Sequence, residues 1–84
     1  MNQEDFKKLY NDVIGSQERA RKGLLEAMVL EPLPMYTLKK KVGVDSRTLE
    51  RFLEGRDLRF PQLVRVCKYI IEVEERNGIK RTTT

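Results

Sequence analysis

Eighty-four residues suffice for one small domain with a modest core and not for two, and 36% charged against 39% hydrophobic residues describes a solvated folded domain rather than a disordered chain. A net charge of +4 and a pI near 9.4 suit a polyanionic partner without requiring one. The absence of histidine, the lone Cys67 and the lack of a long apolar run argue against an enzyme, a metal or other cofactor, a disulfide and a membrane span, and favour a soluble cytoplasmic protein.

The expected architecture is all-α: a compact bundle of about five helices around a central helix-turn-helix, one domain over residues 1–78, and a flexible tail over 79–84. Asn2 is placed to cap a first helix, in which Phe6, Leu9, Tyr10, Val13 and Ile14 fall at i, i+3, i+4, i+7, i+8 and make an apolar stripe. Gly15 is a candidate break, with Ser16 capping a second helix from about Gln17 to Leu30. That helix turns Ala20, Leu24, Ala27 and Met28 inward. Gly23 within it suggests a close helix contact, since an interior glycine otherwise costs up to about 1 kcal/mol. Arg19, Arg21 and Lys22 lie within helical reach of Glu18 and Glu26, which reads as a solvated face. Glu31-Pro32-Leu33-Pro34 is a rigid connector in which the chain must turn, and Pro34 is suited to open the next helix, with Leu33 and Met35 stapling the turn to the core.

The stretch Thr37 to Gly55 is the most informative. Leu38 and Val42 share one helix face, and Gly43 follows where a left-handed residue ends a helix cheaply. Asp45 occupies an N-cap position, and Leu49, Phe52 and Leu53 fall at i, i+3, i+4 in the helix it begins. Ser46, Arg47, Glu50, Arg51 and Glu54 are left facing out, and Gly55 closes the helix. After a loop over Arg56 to Phe60, Pro61 opens a last helix running to about Arg76. Its Leu63, Val64, Val66, Cys67, Ile70, Ile71 and Val73 cover more of the circumference than one packing face needs, although Cys67 is simplest as a small core residue. Asn77-Gly78 supplies the stop. Beyond it the sequence has no periodicity, and Lys80 and Arg81 read as a plain tail before they read as phosphate contacts.

Charge is unevenly placed. From Met1 to Glu31 there are six acids and five bases, whereas from Lys39 to Lys68 there are nine bases and four acids. The positive excess therefore sits on the helix-turn-helix half.

The run KKVGVDSRTLERFLEG, followed by a helix opening at Pro61, resembles the helix-turn-helix of the lambda-repressor-like superfamily of phage and plasmid regulators. The shared positions are Leu38, Val42 and Gly43, Val44, Leu49 and Phe52, within a span of about Met35 to Ile71. Lys39 departs from the pattern, standing where the family usually keeps a small residue. The resemblance implies sequence-specific double-stranded DNA binding by a transcriptional regulator, a repressor in preference to an activator, with the 45–54 helix in the major groove. It places Ser46, Arg47 and Arg51 at the base-reading positions, each arginine able to fork onto a guanine, with Glu50 accepting from a cytosine amine or orienting an arginine. Ion pairs Arg47–Glu50 and Arg51–Glu54 at i, i+3 are the competing account of this face. Phosphate contacts fall to Tyr36, Lys40, Lys41, Arg56 and Arg59, for which a solvated surface is the alternative.

Affinity of this kind usually draws on two half-sites, so a homodimer is expected. Val64, Ile71 and Val73 on the last helix are the interface candidates, with Phe6 or Tyr10 of the first helix a second choice and core packing the rival explanation for all of them. The competing function is a protein-interaction module on the same fold, binding a host regulator or nuclease, which the mixed charges of Glu50 and Glu54 beside the arginines suit. Single-stranded nucleic acid is poorly supported, because the six aromatics fall mostly on apolar stripes.

Overall fold

Among the described residues four helices account for the secondary structure: α1 (Gln3–Leu30), α2 (Met35–Val42), α3 (Ser46–Leu53) and α4 (Phe60–Arg76). The computed structural model describes residues 3–79, the side chains of Gln3, Val13 and Ile14 excepted. Among them there is no strand, and the chain is the all-α bundle that its periodicities imply. The Asn2 cap, the inward positions of Val13 and Ile14, and the tail with Lys80 and Arg81 fall outside that description.

The count is four rather than about five because Gly15 does not end a helix. A helix stops at glycine when the residue turns left-handed and its neighbours bond back to the last carbonyls. Gly15 does neither, and the positive φ values belong to Gly43, Gly55 and Gly78. Ser16 is no cap either, since its Oγ donates to the Asp12 carbonyl at 2.7 Å, within one continuous helix. Crossing one glycine costs about 1 kcal/mol, less than nucleating a second helix from nothing.

α1 and α4 run alongside one another in the same sense. Gln17 is level with Leu58, Gly23 with Ile70 and Glu31 with Asn77. Gly23 is the close contact its position suggests, because a Cβ there would stand 3.1 Å from Ile70 Cδ1. α2 and α3 pack across this pair. Leu24 of α1, Leu38 of α2, Leu49 and Phe52 of α3, and Val66 and Val73 of α4 are the largest fully buried side chains. Each such aliphatic or aromatic residue contributes on the order of 1.5–3 kcal/mol. Met28, Met35 and Leu53 pack against them from the margin.

Three expectations about α4 change. Val73 is wholly buried and is therefore core, not interface. Cys67 is exposed rather than core, although partial desolvation still pushes its thiol above the ordinary value. Tyr69, absent from the expected inward set, is buried. Val64 and Ile71 do stand exposed. The chain connections are tied by side chains. Gln17 Nε2 donates to the Leu58 carbonyl at 2.9 Å and its Oε1 accepts from the Leu58 N–H at 3.0 Å, so one amide holds the α3–α4 loop and buries Leu58. Glu31 accepts from Arg76 Nη2 at 2.8 Å, Arg76 Nε at 3.1 Å and Asn77 Nδ2 at 2.9 Å, and these donors hold its carboxyl below the usual range. Ile79 is not free tail: its N–H donates to the Glu74 carbonyl at 2.9 Å, completing the end of α4 with Gly78 N–H to Glu75.

The N-terminal third of α1 stands apart from this bundle. Glu4 through Asp12 are all exposed, and the stripe that reads as a packing face has Phe6 at 55%, Leu9 at 55% and Tyr10 at 65% exposure.

Candidate nucleic-acid interface

The turn between α2 and α3 follows from two residues. Gly43 takes φ 81°, a left-handed conformation that a side chain disfavours, and its N–H donates to the Lys39 carbonyl at 2.8 Å to finish α2. Val44 tucks into the core, and Asp45 accepts from the Arg47 N–H at 3.1 Å as the N-cap of α3. Pro34 stands one position earlier than expected, as the residue before α2, where its carbonyl accepts from Thr37 and Leu38 at 3.0 Å.

α3 has eight residues and cannot hold itself as a helix. Two arginines from other helices hold it. From α4, Arg65 Nη1 donates to the Gly43 carbonyl at 2.7 Å, fixing the turn that precedes α3. From α1, Arg21 Nε donates to the Phe52 carbonyl and Nη2 to the Arg56 carbonyl at 3.0 Å, while the guanidinium lies 4.7 Å from the Phe52 ring centroid. Arg21 thus caps the carbonyl end of α3, where a cation is favoured by the helix dipole. It is buried, pairs with Glu18, and has Asp57 at 3.5 Å, so its placement on a solvated face is corrected. The signal was present in the sequence: Gln17, Ala20, Arg21, Leu24, Ala27 and Met28 keep one helical spacing, and a cation on an inward line needs acceptors there.

The outer face of α3 carries Arg47, Glu50, Arg51 and Glu54, all exposed, with Ser46 and Thr48 half-buried. Among the described residues neither Arg47 nor Arg51 joins a salt bridge, so the i, i+3 pairs with Glu50 and Glu54 are not formed. Two guanidinium forks four residues apart therefore project side by side with their donors unused.

The phosphate candidates divide into two groups. Arg56 and Arg59 line a recess of about 310 Å³ at the start of α4, together with the base-reading candidate Arg51 and with Thr48, Phe52, Asp57 and Gln62. Three arginines and the carboxylate of Asp57 thus line one recess beside the start of α4. Thr48, which lines this recess three residues before Arg51, was not singled out by sequence. The second group is on α2, where Lys40 Nζ lies 4.3 Å and Lys39 Nζ 5.1 Å from the centroid of the exposed Tyr36 ring. Lys39, half-buried, lies back over that ring. Lys41 is exposed on the side nearest Glu31, whose carboxyl its charge helps to lower. Four of the six aromatics, Phe6 and Tyr10 of the α1 stripe with Tyr36 and Phe60, are exposed, and they belong to three different helices.

Among the described residues no helix is long and apolar enough to cross a membrane, and no group of three or more metal-ligating side chains occurs. Comparison with protein-family models, with curated proteins and with solved structures finds no match to this chain.

Proposed function

We propose that the chain binds double-stranded DNA in a sequence-specific manner, with α3 in the major groove, and acts as a transcriptional regulator of phage or plasmid type, a repressor in preference to an activator. The observation that carries this reading is the unpaired state of Arg47 and Arg51 on a helix whose two ends are held by Arg65 and Arg21. A reading helix has to be rigid while its base-contacting donors stay available, and this arrangement supplies both. Arg47 and Arg51 address guanine edges, Ser46 and Glu50 the neighbouring positions. Arg56 and Arg59 engage one phosphate wall through the recess beside Arg51, and Tyr36 with Lys40 and Lys41 the other. A homodimer presents two such faces to a palindrome.

The test is selection of bound duplexes from a random pool, followed by anisotropy titrations on the recovered site across a range of salt. Affinity should fall linearly with the logarithm of salt. Arg51→Ala should flatten discrimination, at about 1–3 kcal/mol for the guanine it reads, whereas Lys40→Ala should weaken every sequence alike. Uniform loss for both substitutions, or no binding to any duplex at low salt, would overturn the reading. In that second case the exposed Glu50 and Glu54 beside the arginines favour a protein partner on the same face.

A further inference from the structure

The segment from Glu54 to Arg59 joins α3 to α4 without belonging to either helix, and it carries the exposed phosphate candidates Arg56 and Arg59. Its first residues turn back onto α3, with the Arg56 N–H donating to the Arg51 carbonyl at 3.0 Å. Its last residue starts α4, with the Arg59 N–H donating to Gln62 Oε1 at 3.3 Å. Between these ends the backbone is held by two side chains of α1, four residues apart on one face. Arg21 Nη2 donates to the Arg56 carbonyl at 3.0 Å. Gln17 gives both halves of its amide to one residue, donating to the Leu58 carbonyl at 2.9 Å and accepting from the Leu58 N–H at 3.0 Å.

Gln17 is 6% exposed and stands where the projecting N-terminal arm of α1 gives way to the buried part of the helix. Connections on a protein surface commonly solvate their own backbone and move. This one does neither at Leu58, which is buried and has both peptide groups tied to α1. Fixing Leu58 fixes its neighbours, because Arg56 lies two residues before it and Arg59 one residue after. An arginine that must meet a phosphate loses less freedom on binding when its backbone is already held.

We infer that Gln17 is a positioning residue of the nucleic-acid interface: through Leu58 it holds Arg56 and Arg59 at the distance from α3 that the phosphate backbone requires. The inference rests on the duplex-binding reading and adds to it a residue of α1, outside the helix-turn-helix. Gln17 itself touches no ligand.

Gln17→Met keeps the length of the side chain and removes both hydrogen bonds. Wild type, Gln17→Met, Arg56→Ala with Arg59→Ala, and the triple variant form a cycle, read by anisotropy on the duplex recovered by selection. Gln17→Met should weaken binding to every duplex about tenfold and leave the preference among them intact. The slope of log affinity against log salt should fall by about one to two, as phosphate contacts are lost. In the triple variant Gln17→Met should add less than about a twofold loss, because the arginines it acts through are gone. A residue serving stability alone would give losses that multiply and an unchanged salt slope in the folded chain, and that result would overturn the inference. Circular dichroism establishes that each variant is folded, and the shorter amide of Gln17→Asn should give the same pattern if Gln17→Met does not fold. In the wild type the Leu58 N–H should exchange with solvent as slowly as the amides within α3; exchange at the rate of a free peptide overturns the inference without any variant. A wild type that binds no duplex removes the duplex-binding reading and this inference together, whereas binding with multiplicative losses removes this inference alone.

Discussion

α3 and the projecting arm of α1 are both short exposed helical stretches, and they are exposed in opposite ways. α3 makes Leu49 and Phe52 inaccessible, keeps Leu53 at the margin of the core, and shows solvent mainly charge. It is held by Asp45 at its start, Arg65 behind the preceding turn and Arg21 across its end. The arm shows solvent its apolar side. Exposed charge held rigid is what a polar ligand requires, and exposed apolar surface on a helix is what a packing partner requires. One small domain carries the two kinds of surface on different elements, so each is open to test without disturbing the other.

The contrast is sharpest for one residue type in both places. Phe52→Ala should destabilise by about 3–5 kcal/mol, whereas Phe6→Ala should change monomer stability by less than about 0.5 kcal/mol in urea denaturation. A large loss from Phe6 in dilute monomer would mean that the arm packs within the chain. Next in size is the clamp. Arg21→Ala orphans the Phe52 and Arg56 carbonyls and uncovers the Phe52 ring, for about 2–4 kcal/mol; a loss below 0.5 kcal/mol would show that α3 needs no such cap. The two glycine junctions come third. Gly43→Ala forces a side chain to φ 81° and should cost about 1–2 kcal/mol. Gly15→Ala should be neutral or gain up to about 1 kcal/mol, because its Cβ would meet only the movable end of Arg19.

The smallest effect is at Glu31. Its pKa is lowered in the folded chain by Arg76 and Asn77, so the stability it contributes is present above its ordinary value near 4.5 and is lost as pH falls through the lowered one. The stability difference between wild type and Glu31→Gln should therefore be constant near neutrality and close in acid. A difference unchanged down to pH 3 would remove the pair from the account.

The helix-turn-helix was legible because its determinants are local. Gly43, Asp45 and Gly55 each act on backbone within one turn, so spacing alone located them. The Gly15 break was misread for a related reason: glycine permits a stop, but the stop is made by later residues bonding back, and those bonds are not written at the glycine. Arg21 needed knowledge of distant acceptors, the carbonyls of Phe52 and Arg56, more than thirty residues on. Periodicity announced the stripes on α1 and α4 but was silent on what covers them. Val73, Val64 and Ile71 therefore looked equivalent until packing sorted one inward and two outward.

The unbroken course of α1 couples its two ends. From Gln3 to Arg21 it is one rod of about 27 Å, with the arm at one end and the cap of α3 at the other. A continuous helix fixes angle as well as distance, so whatever packs on the arm is held at a set orientation to the cap of α3. A chain made pliant at Gly15 and Ser16 should lose that coupling while Arg21 still closes the end of α3.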